Sequence, residues 1–424
     1  MNLTSAPSPR ASLIALAEQR TGEQPAAGAL QLARAIVQAR KTMFEAPWLV
    51  DGDALPRERA AAEAQLKHQL TAALDQGFVL HDPLHPEFRV LDQHNQFGLV
   101  NPDNRYLIAS ICTPGTYVIR GKRGTSADLQ IEVGGGCAGF NDEVNSTPID
   151  QLALPRLKVD DDGCFEIVIS SRRTGRNWLC NTAGGVTATS VLIRESFMDW
   201  DNEVSSTWSI ERVDTRGTPS PISGRSLVNH QYARAAAYLT ASTRAWVDFV
   251  SNIYRQTPPN VLLPPKLAED GLPGQWNAAG LFDIGADQAV VIKLAKSAAR
   301  YQSIQVGDLW FNSLDYCRRQ TSLTAAQARP DGNGDYWLVV SHEDPGVENW
   351  LDPSGASTTF VFARWQGLES DHEFTADDLP RAQLVDLDKL RDYLPCDVPH
   401  FSPAARVEQL AARKASSLVN PRRF

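Results

Sequence analysis

The sequence predicts a mainly β protein with helical segments: two antiparallel β-sandwich or jelly-roll units, helices at the N-terminus, and one long central helix. Three observations predict this. Apolar residues recur at helical spacing before about His81 and at two-residue spacing after it. The helical period returns near Ser226 for a single long run and then yields again to alternation. Between the alternating runs lie turn clusters such as Thr113-Pro114-Gly115 and Asp162-Gly163, and so many short strands pack most naturally as sandwiches.

The elements follow in order. Residues 1–79 read as a helical segment: Leu30 to Phe44 sets Leu32, Ile36 and Val37 on one side, and Arg57 to Gln76 repeats Leu66, Leu70 and Leu74. Gly77 is expected to end that run in a left-handed conformation. Residues 80–222 form the first β unit. Tyr106 to Ile111 and Thr116 to Lys122 are expected to make a hairpin, followed by the alternations Leu129, Ile131, Val133 and Phe165, Ile167, Ile169, then Ser190 to Phe197 and Trp208 to Val213. Residues 223–284 hold a helix with Tyr232, Ala236, Leu239, Trp246, Val250 and Ile253 on one face, ended by Pro258-Pro259, and a Pro-rich linker. Residues 285–390 form the second β unit, with strands at Ala289 to Leu294, Tyr301 to Leu309, Trp337 to Ser341 and Thr358 to Trp365. Residues 391–424 hold a helix from Pro403 to Arg413 and a tail.

Composition narrows the function. A chain of 424 residues with 42% hydrophobic content can bury a sizeable core, and 21% charged residues is ordinary for a globular protein. The formal charge of -9 leaves no basic face for nucleic acid or an anionic membrane, and Arg422-Arg423 is too short to supply one. No apolar run reaches the length of a membrane span, and Met1 to Arg20 lacks the form of a secretion signal, so a cytoplasmic location is expected. The scattered cysteines (Cys112, Cys137, Cys164, Cys180, Cys317, Cys396) read as reduced thiols, neither a disulfide framework nor a zinc site.

Asn101-Pro102-Asp103-Asn104-Arg105-Tyr106 and Tyr117 to Gly124 resemble the N-terminal part of a bacterial domain-of-unknown-function family, 1254. Trp310-Phe311-Asn312-Ser313-Leu314-Asp315-Tyr316, His342 to Gly346 and Asn349-Trp350-Leu351-Asp352 resemble its frequent C-terminal partner, family 1214. With Arg364-Trp365 and the helix around Tyr232, the resemblance covers roughly residues 80 to 385. It implies two β-sandwich units, the second a jelly roll, a helical insertion and a homo-oligomer, and it implies no established chemistry.

Two motifs imitate ligand sites. Gly134 to Gly139 matches G-x-G-x-x-G after a plausible strand, yet Phe140 to Pro148 is not a helix that could seat a pyrophosphate, so a flexible loop is expected and no cofactor. Asp331-Gly332-Asn333-Gly334-Asp335 opens like a calcium loop, but Tyr336 stands where glycine is needed; a turn between strands is expected and no metal. No G-x-S-x-G, H-E-x-x-H or Walker sequence occurs.

The expected site is His342, Asp344 and Tyr316, with Trp310, Asn312, Arg318, Asn349, Trp350, Asn104 and Tyr106 binding a small molecule. His342 has the pKa of a proton shuttle, Asp344 could hold its tautomer, Tyr316 could donate a second proton, and Arg318 could clamp an anion. The bland readings stand beside these. Asp344 and Asn349 cap turns, Trp350 fills the core, Asp315 and Arg319 pair, and His230 packs in or caps the central helix. The leading reading is a bacterial catabolic enzyme without a redox cofactor, performing acid–base hydrolysis, hydration or elimination on a small apolar or glycosidic substrate. One alternative is a carbohydrate- or small-ligand-binding protein with Trp310, Trp337, Trp350 and Trp365 as a platform. The other is a structural protein that forms oligomers.

Overall fold

The structure is a computed structural model and describes residues 27–50, 56–96, 98–136, 140, 144–222, 224–268, 274–356 and 358–419. It is mostly β, with four sheets and several helices. At the N-terminal side are α1 (Ala27–Phe44), the short α2 (Pro47–Val50) and α3 (Pro56–Leu74), which runs into a π-helical turn, Asp75–Val79. The long central helix is α4 (Arg225–Gln256), and α5 (Pro403–Val419) ends the described chain.

The first unit has two sheets. One joins β1 (Arg89–Leu91), β2 (Asn104–Ser110), β9 (Val186–Ser196), β4 (Asp128–Gly135) and β5 (Thr147–Ala153) in that order, with β8 (Thr182–Ala183) on β9. The other joins β10 (Ser209–Arg212), β3 (Tyr117–Lys122), β6 (Cys164–Ser170) and β7 (Asn177–Cys180). Alternation puts Leu107, Ile131, Val133 and Ile193 of one sheet against Ile119, Phe165, Ile167 and Ile169 of the other. Each such side chain stabilises the fold by roughly 1.5–3 kcal/mol.

The second unit repeats the plan. One sheet orders β11 (Lys266–Leu267), β12 (Gln275–Asp283), β18 (Thr358–Gln366), β14 (Tyr301–Gly307) and β15 (Ser322–Thr324). Facing it are β17 (Trp350–Leu351), β16 (Tyr336–Val340), β13 (Gln288–Leu294) and β19 (Arg381–Asp386). Val290, Ile292, Ile304, Leu338, Val361 and Trp365 fill the space between.

Several expectations need correction. The predicted hairpin at Thr113-Pro114-Gly115 does not form: β2 pairs with β9 and β3 with β6, so this turn carries the chain from one sheet to the other. Turn chemistry alone does not say which strands pair. Two short pairs, β6–β7 and β16–β17, are parallel. The second unit begins before residue 285, because β11 and β12 already belong to its sheet. Gly77 lies inside the π-helical turn. A Cβ there would stand 2.5 Å from the Gln231 carbonyl oxygen of α4, so this glycine permits close approach and does not terminate a helix. Gly134 and Gly135 belong to β4, and a Cβ on Gly135 would stand 2.3 Å from Val186. Cys137 to Gly139 lie outside the described residues, as do Met1 to Arg20 and Arg422-Arg423.

Two junctions hold the parts together. Trp48, Leu49, Val247, Val250, Leu309, Trp310 and Phe360 form one cluster that binds the N-terminal helices and α4 to the second unit. Between the β units, the buried Tyr301 hydroxyl donates to Asp103 Oδ2 at 2.6 Å and accepts from Asn101 Nδ2 at 2.7 Å.

Candidate functional site

Where β14 ends at Gly307, the chain makes a five-residue turn, Asp308 to Asn312, before an isolated antiparallel bridge between Gly307 and Ser313. The Asp308 side chain organises it. Its Oδ1 accepts the Trp310 amide at 2.9 Å and the Asn312 amide at 3.0 Å, while Oδ2 accepts Asn312 Nδ2 at 3.3 Å. Such side-chain-to-backbone bonds are what Asp offers a turn that leaves regular structure. They hold Phe311 at φ 57°, a left-handed conformation that a bulky residue adopts only at a cost of order 1–2 kcal/mol. Packing offsets that cost: the Phe311 ring meets Trp246, Phe249 and Phe360 at centroid distances of 5.9, 5.4 and 5.0 Å.

This turn forms one wall of a cavity of about 380 Å³. The start of α3 forms another, with Arg57, Glu58, Ala61 and Ala64, and the loop Pro353 to Ala356 forms a third. Trp48 and Trp310 meet edge to face there, centroids 4.9 Å apart. Both indole N–H groups are buried without a hydrogen-bond partner among the described residues. The rim is tied by Arg57 Nη1, which donates to the Gly355 carbonyl at 2.9 Å. Ser354 on the same loop is also left-handed, at φ 54°. One strained residue, Ser354, thus lines the cavity, and a second, Phe311, stands on the turn that supplies Asp308, Leu309 and Trp310 to its wall.

Asp308 carries the strongest chemical signal. Burial pushes its carboxyl up from 3.8 to about 6, against the opposing hydrogen bonds from Asn312 and Trp310. A carboxyl poised there can take up or give a proton near neutral pH. Behind it lies His68 on α3, whose burial, with Lys67 and His94 nearby, lowers its pKa from 6.5 to about 4. His68 is a neutral imidazole at physiological pH.

The predicted site residues are scattered. Trp310 and Asn312 stand on this turn, and Trp310 is in the cavity wall. His342 is not in that wall: its Nε2 donates to the Ile284 carbonyl at 3.0 Å, and Nδ1 is buried without a hydrogen-bond partner among the described residues. Asp344 does not orient it. Arg406 of α5 takes Asp344 in an ion pair at 2.9 Å, the planar guanidinium fork being well matched to a carboxylate. Asn349 bonds the backbone of Arg329 and Trp337, and the Trp350 indole donates to the Ser341 carbonyl, so both are structural. Arg318 is exposed and pairs with Asp315 at 2.9 Å, while Arg319 pairs with Asp352 at 2.7 Å; the pairing expected between Asp315 and Arg319 is replaced by these two.

Tyr316 and Asn104 border a niche of only about 10 Å³ beside Trp200, too small for a substrate. The Tyr106 hydroxyl accepts the Asn101 amide at 3.2 Å. His230 is exposed on α4, where a packed or capping residue was expected. No exposed tryptophan strip forms: Trp310, Trp350 and Trp365 are buried, and Trp337 donates to Asp331 Oδ2. Asp331 also caps its own turn through the Asn333 and Asp335 amides, as expected of a turn. No cluster of three or more His, Cys, Asp or Glu suited to a metal occurs among the described residues.

Sequence reasoning missed Asp308, Glu58 and His68. The available signal was the spacing of Asp308 and Asn312 around three apolar residues, which marks an Asp-anchored turn. The partnership with α3, some 240 residues earlier in the chain, leaves no local trace.

An uncharacterised protein from Burkholderia cenocepacia superposes with a TM-score of 0.74, at 24% identity, over 89% of this chain and 99% of that one. The likeness is one of fold. A Vibrio parahaemolyticus protein, VPA0106, aligns over 83% of this chain at 10% identity with a TM-score of 0.40. No family model and no curated protein matches the chain. No helix among the described residues is long and apolar enough to cross a membrane.

Proposed function

We propose that this chain is an acid–base enzyme acting on a small, largely apolar molecule held in the cavity between α3 and the Asp308 turn, with Asp308 as the proton-transferring group. One observation carries the reading: a carboxyl raised to about 6 in the wall of an apolar cavity of about 380 Å³, a volume within the usual range for a small-molecule site. Hydrolysis of an ester, lactone or glycoside fits. Water oxygen bonds to the substrate carbon, the carbon–oxygen bond breaks, the departing oxygen takes the Asp308 proton, and the attacking water returns a proton to Asp308. A homo-oligomer belongs to the same proposal, supported by the family resemblance, and so does a cytoplasmic location, supported by the lack of a helix among the described residues long and apolar enough to cross a membrane.

A non-catalytic binding protein is the second reading. It is favoured by the three hydrogen bonds that Asp308 makes within its own turn, which suffice to explain the residue. One experiment separates the two. A panel of small apolar esters, lactones and glycosides is screened for binding and turnover at pH 5 to 8, using the full chain, Ala64→Phe and Asp308→Asn. The enzyme reading expects a bound and converted compound, loss of binding in Ala64→Phe, which adds a ring to the cavity lining, and turnover lower by ~10²–10⁴ in Asp308→Asn with affinity kept. Binding without any turnover supports the second reading, and undiminished binding by Ala64→Phe removes the cavity from both.

A further inference from the structure

Among the described residues that line the cavity, the ionisable side chains are Arg57, Glu58 and Asp308. Asp308 is occupied by the three hydrogen bonds of its own turn. Glu58 is half-buried and already engaged. Arg57 differs from both. It is exposed, and its one hydrogen bond among the described residues runs from Nη1 to the Gly355 carbonyl at 2.9 Å. That bond leaves the edge formed by Nε and Nη2 without a partner. The two parallel N–H groups of this edge match the two oxygens of a carboxylate.

The guanidinium is also held in place. A Cβ on Gly355 would stand 3.5 Å from Nη1, 3.6 Å from Cζ and 3.8 Å from Nε, so the group lies against bare backbone where a side chain would begin. Part of its ordering is met before any ligand arrives. Arg57 is the second residue of α3, and the positive end of that helix stands at the same rim. Glu58 works against an anion there, which keeps the expected preference modest. The rest of the lining, with Trp48, Leu309, Trp310 and Leu314, suits an apolar body.

We propose that the cavity takes an apolar molecule ending in a carboxylate, its body between Trp48, Trp310 and Leu314 and its carboxylate held at the rim by Nε and Nη2 of Arg57. The inference rests on the reading of the cavity as the ligand site and names a substrate class for it. Asp308 and Arg57 stand on different walls, so the oxygen that Asp308 protonates and the carboxylate belong to different parts of one molecule. The substrate is then a half-ester, or a lactone or glycoside that carries a free acid.

The probes are 4-phenylbutyrate and its amide, which share a shape and differ in charge, titrated into the full chain by calorimetry. The native chain should bind the carboxylate about tenfold more tightly than the amide. Added salt should narrow that gap. Arg57→Gln keeps an NH₂ for the Gly355 carbonyl and removes both charge and fork, so the gap should close with affinity for the amide unchanged. Arg57→Lys keeps the charge alone and should retain part of the gap. Ala64→Phe should lose both compounds. A native chain that binds the two equally overturns the inference, as does an Arg57→Gln chain that keeps the gap. An equal loss of both compounds in Arg57→Gln overturns it too, because Arg57 would then serve only as the tie between α3 and the loop. In each of these cases the cavity reading stands if Ala64→Phe loses both compounds. Where the native chain binds neither compound the inference fails, and the cavity reading fails with it only if the neutral panel also goes unbound.

Discussion

Asp308 and His68 titrate away from their ordinary values in opposite senses, and each sense has a thermodynamic sign. The folded chain holds the Asp308 proton up to about pH 6, whereas the unfolded chain releases it near 3.8. Its contribution is fully present below 3.8 and is lost as pH rises to about 6. His68 runs the other way: the unfolded chain takes a proton near 6.5 that the folded chain refuses until about 4, so stability present above 6.5 is lost on acidification to about 4. Each is worth up to about 3 kcal/mol, and between pH 4 and 6 they largely cancel. Asp308→Asn, which keeps an oxygen for the Trp310 and Asn312 amides, should therefore lose stability more steeply than the native chain as pH falls from 6.5 to 4. His68→Gln should instead gain stability relative to the native chain over that range. Urea midpoints across the range check both, and parallel curves for Asp308→Asn and the native chain would show that Asp308 is not shifted.

At the scale of elements, the cavity exists because α3 is held at one distance from the second unit, and α4 holds it there. Small residues set that distance. Gly77 of the π-helical turn lies against Gln231 and Ala235 of α4, and a Cβ would stand 2.5 Å from one and 2.9 Å from the other. Gly77→Ala should cost about 1–3 kcal/mol by overpacking. Because the strain falls on the turn leading out of α3, affinity for any cavity ligand should fall with it. Thermal unfolding and ligand titration test the pair of effects, and an unchanged melting temperature would sink the account. On the far side, α5 buries Arg413 against the Tyr316 and Ser322 carbonyls, with the guanidinium 4.6 Å from the Trp200 ring centroid. One side chain thus touches both β units.

Across the whole molecule, buried polar groups join the two sandwiches. Tyr301 of the second unit meets Asp103 and Asn101 of the first, and Ser196 Oγ of the first donates to Gln366 Oε1 of the second at 2.9 Å. Removing one hydroxyl there leaves a carboxylate and an amide buried without that partner. Tyr301→Phe should cost roughly 2–4 kcal/mol, since unsatisfied buried groups cost more than an intact bond contributes. The loss should show as weakened cooperativity between the units in denaturant unfolding. A variant as stable as the native chain would mean that the groups re-pair elsewhere.

What the sequence determined by itself is the alternation of strands, the positions of α1, α3, α4 and α5, and the Asp331 turn. Each follows from side-chain period or local backbone chemistry within about ten residues. It also marked Trp310 and Asn312, because aromatic and amide residues just past a strand stand out locally. Tertiary structure decided the rest. Which sheet each strand joins, Gly77 as a point of approach, the capture of Asp344 by Arg406 and the seclusion of His342 all depend on residues distant in the chain. The same holds for Asp308. Its sequence neighbourhood shows only a turn, and its shifted titration comes from desolvation by elements that fold onto it. Desolvation is a property of the surrounding volume, which no local stretch of sequence encodes.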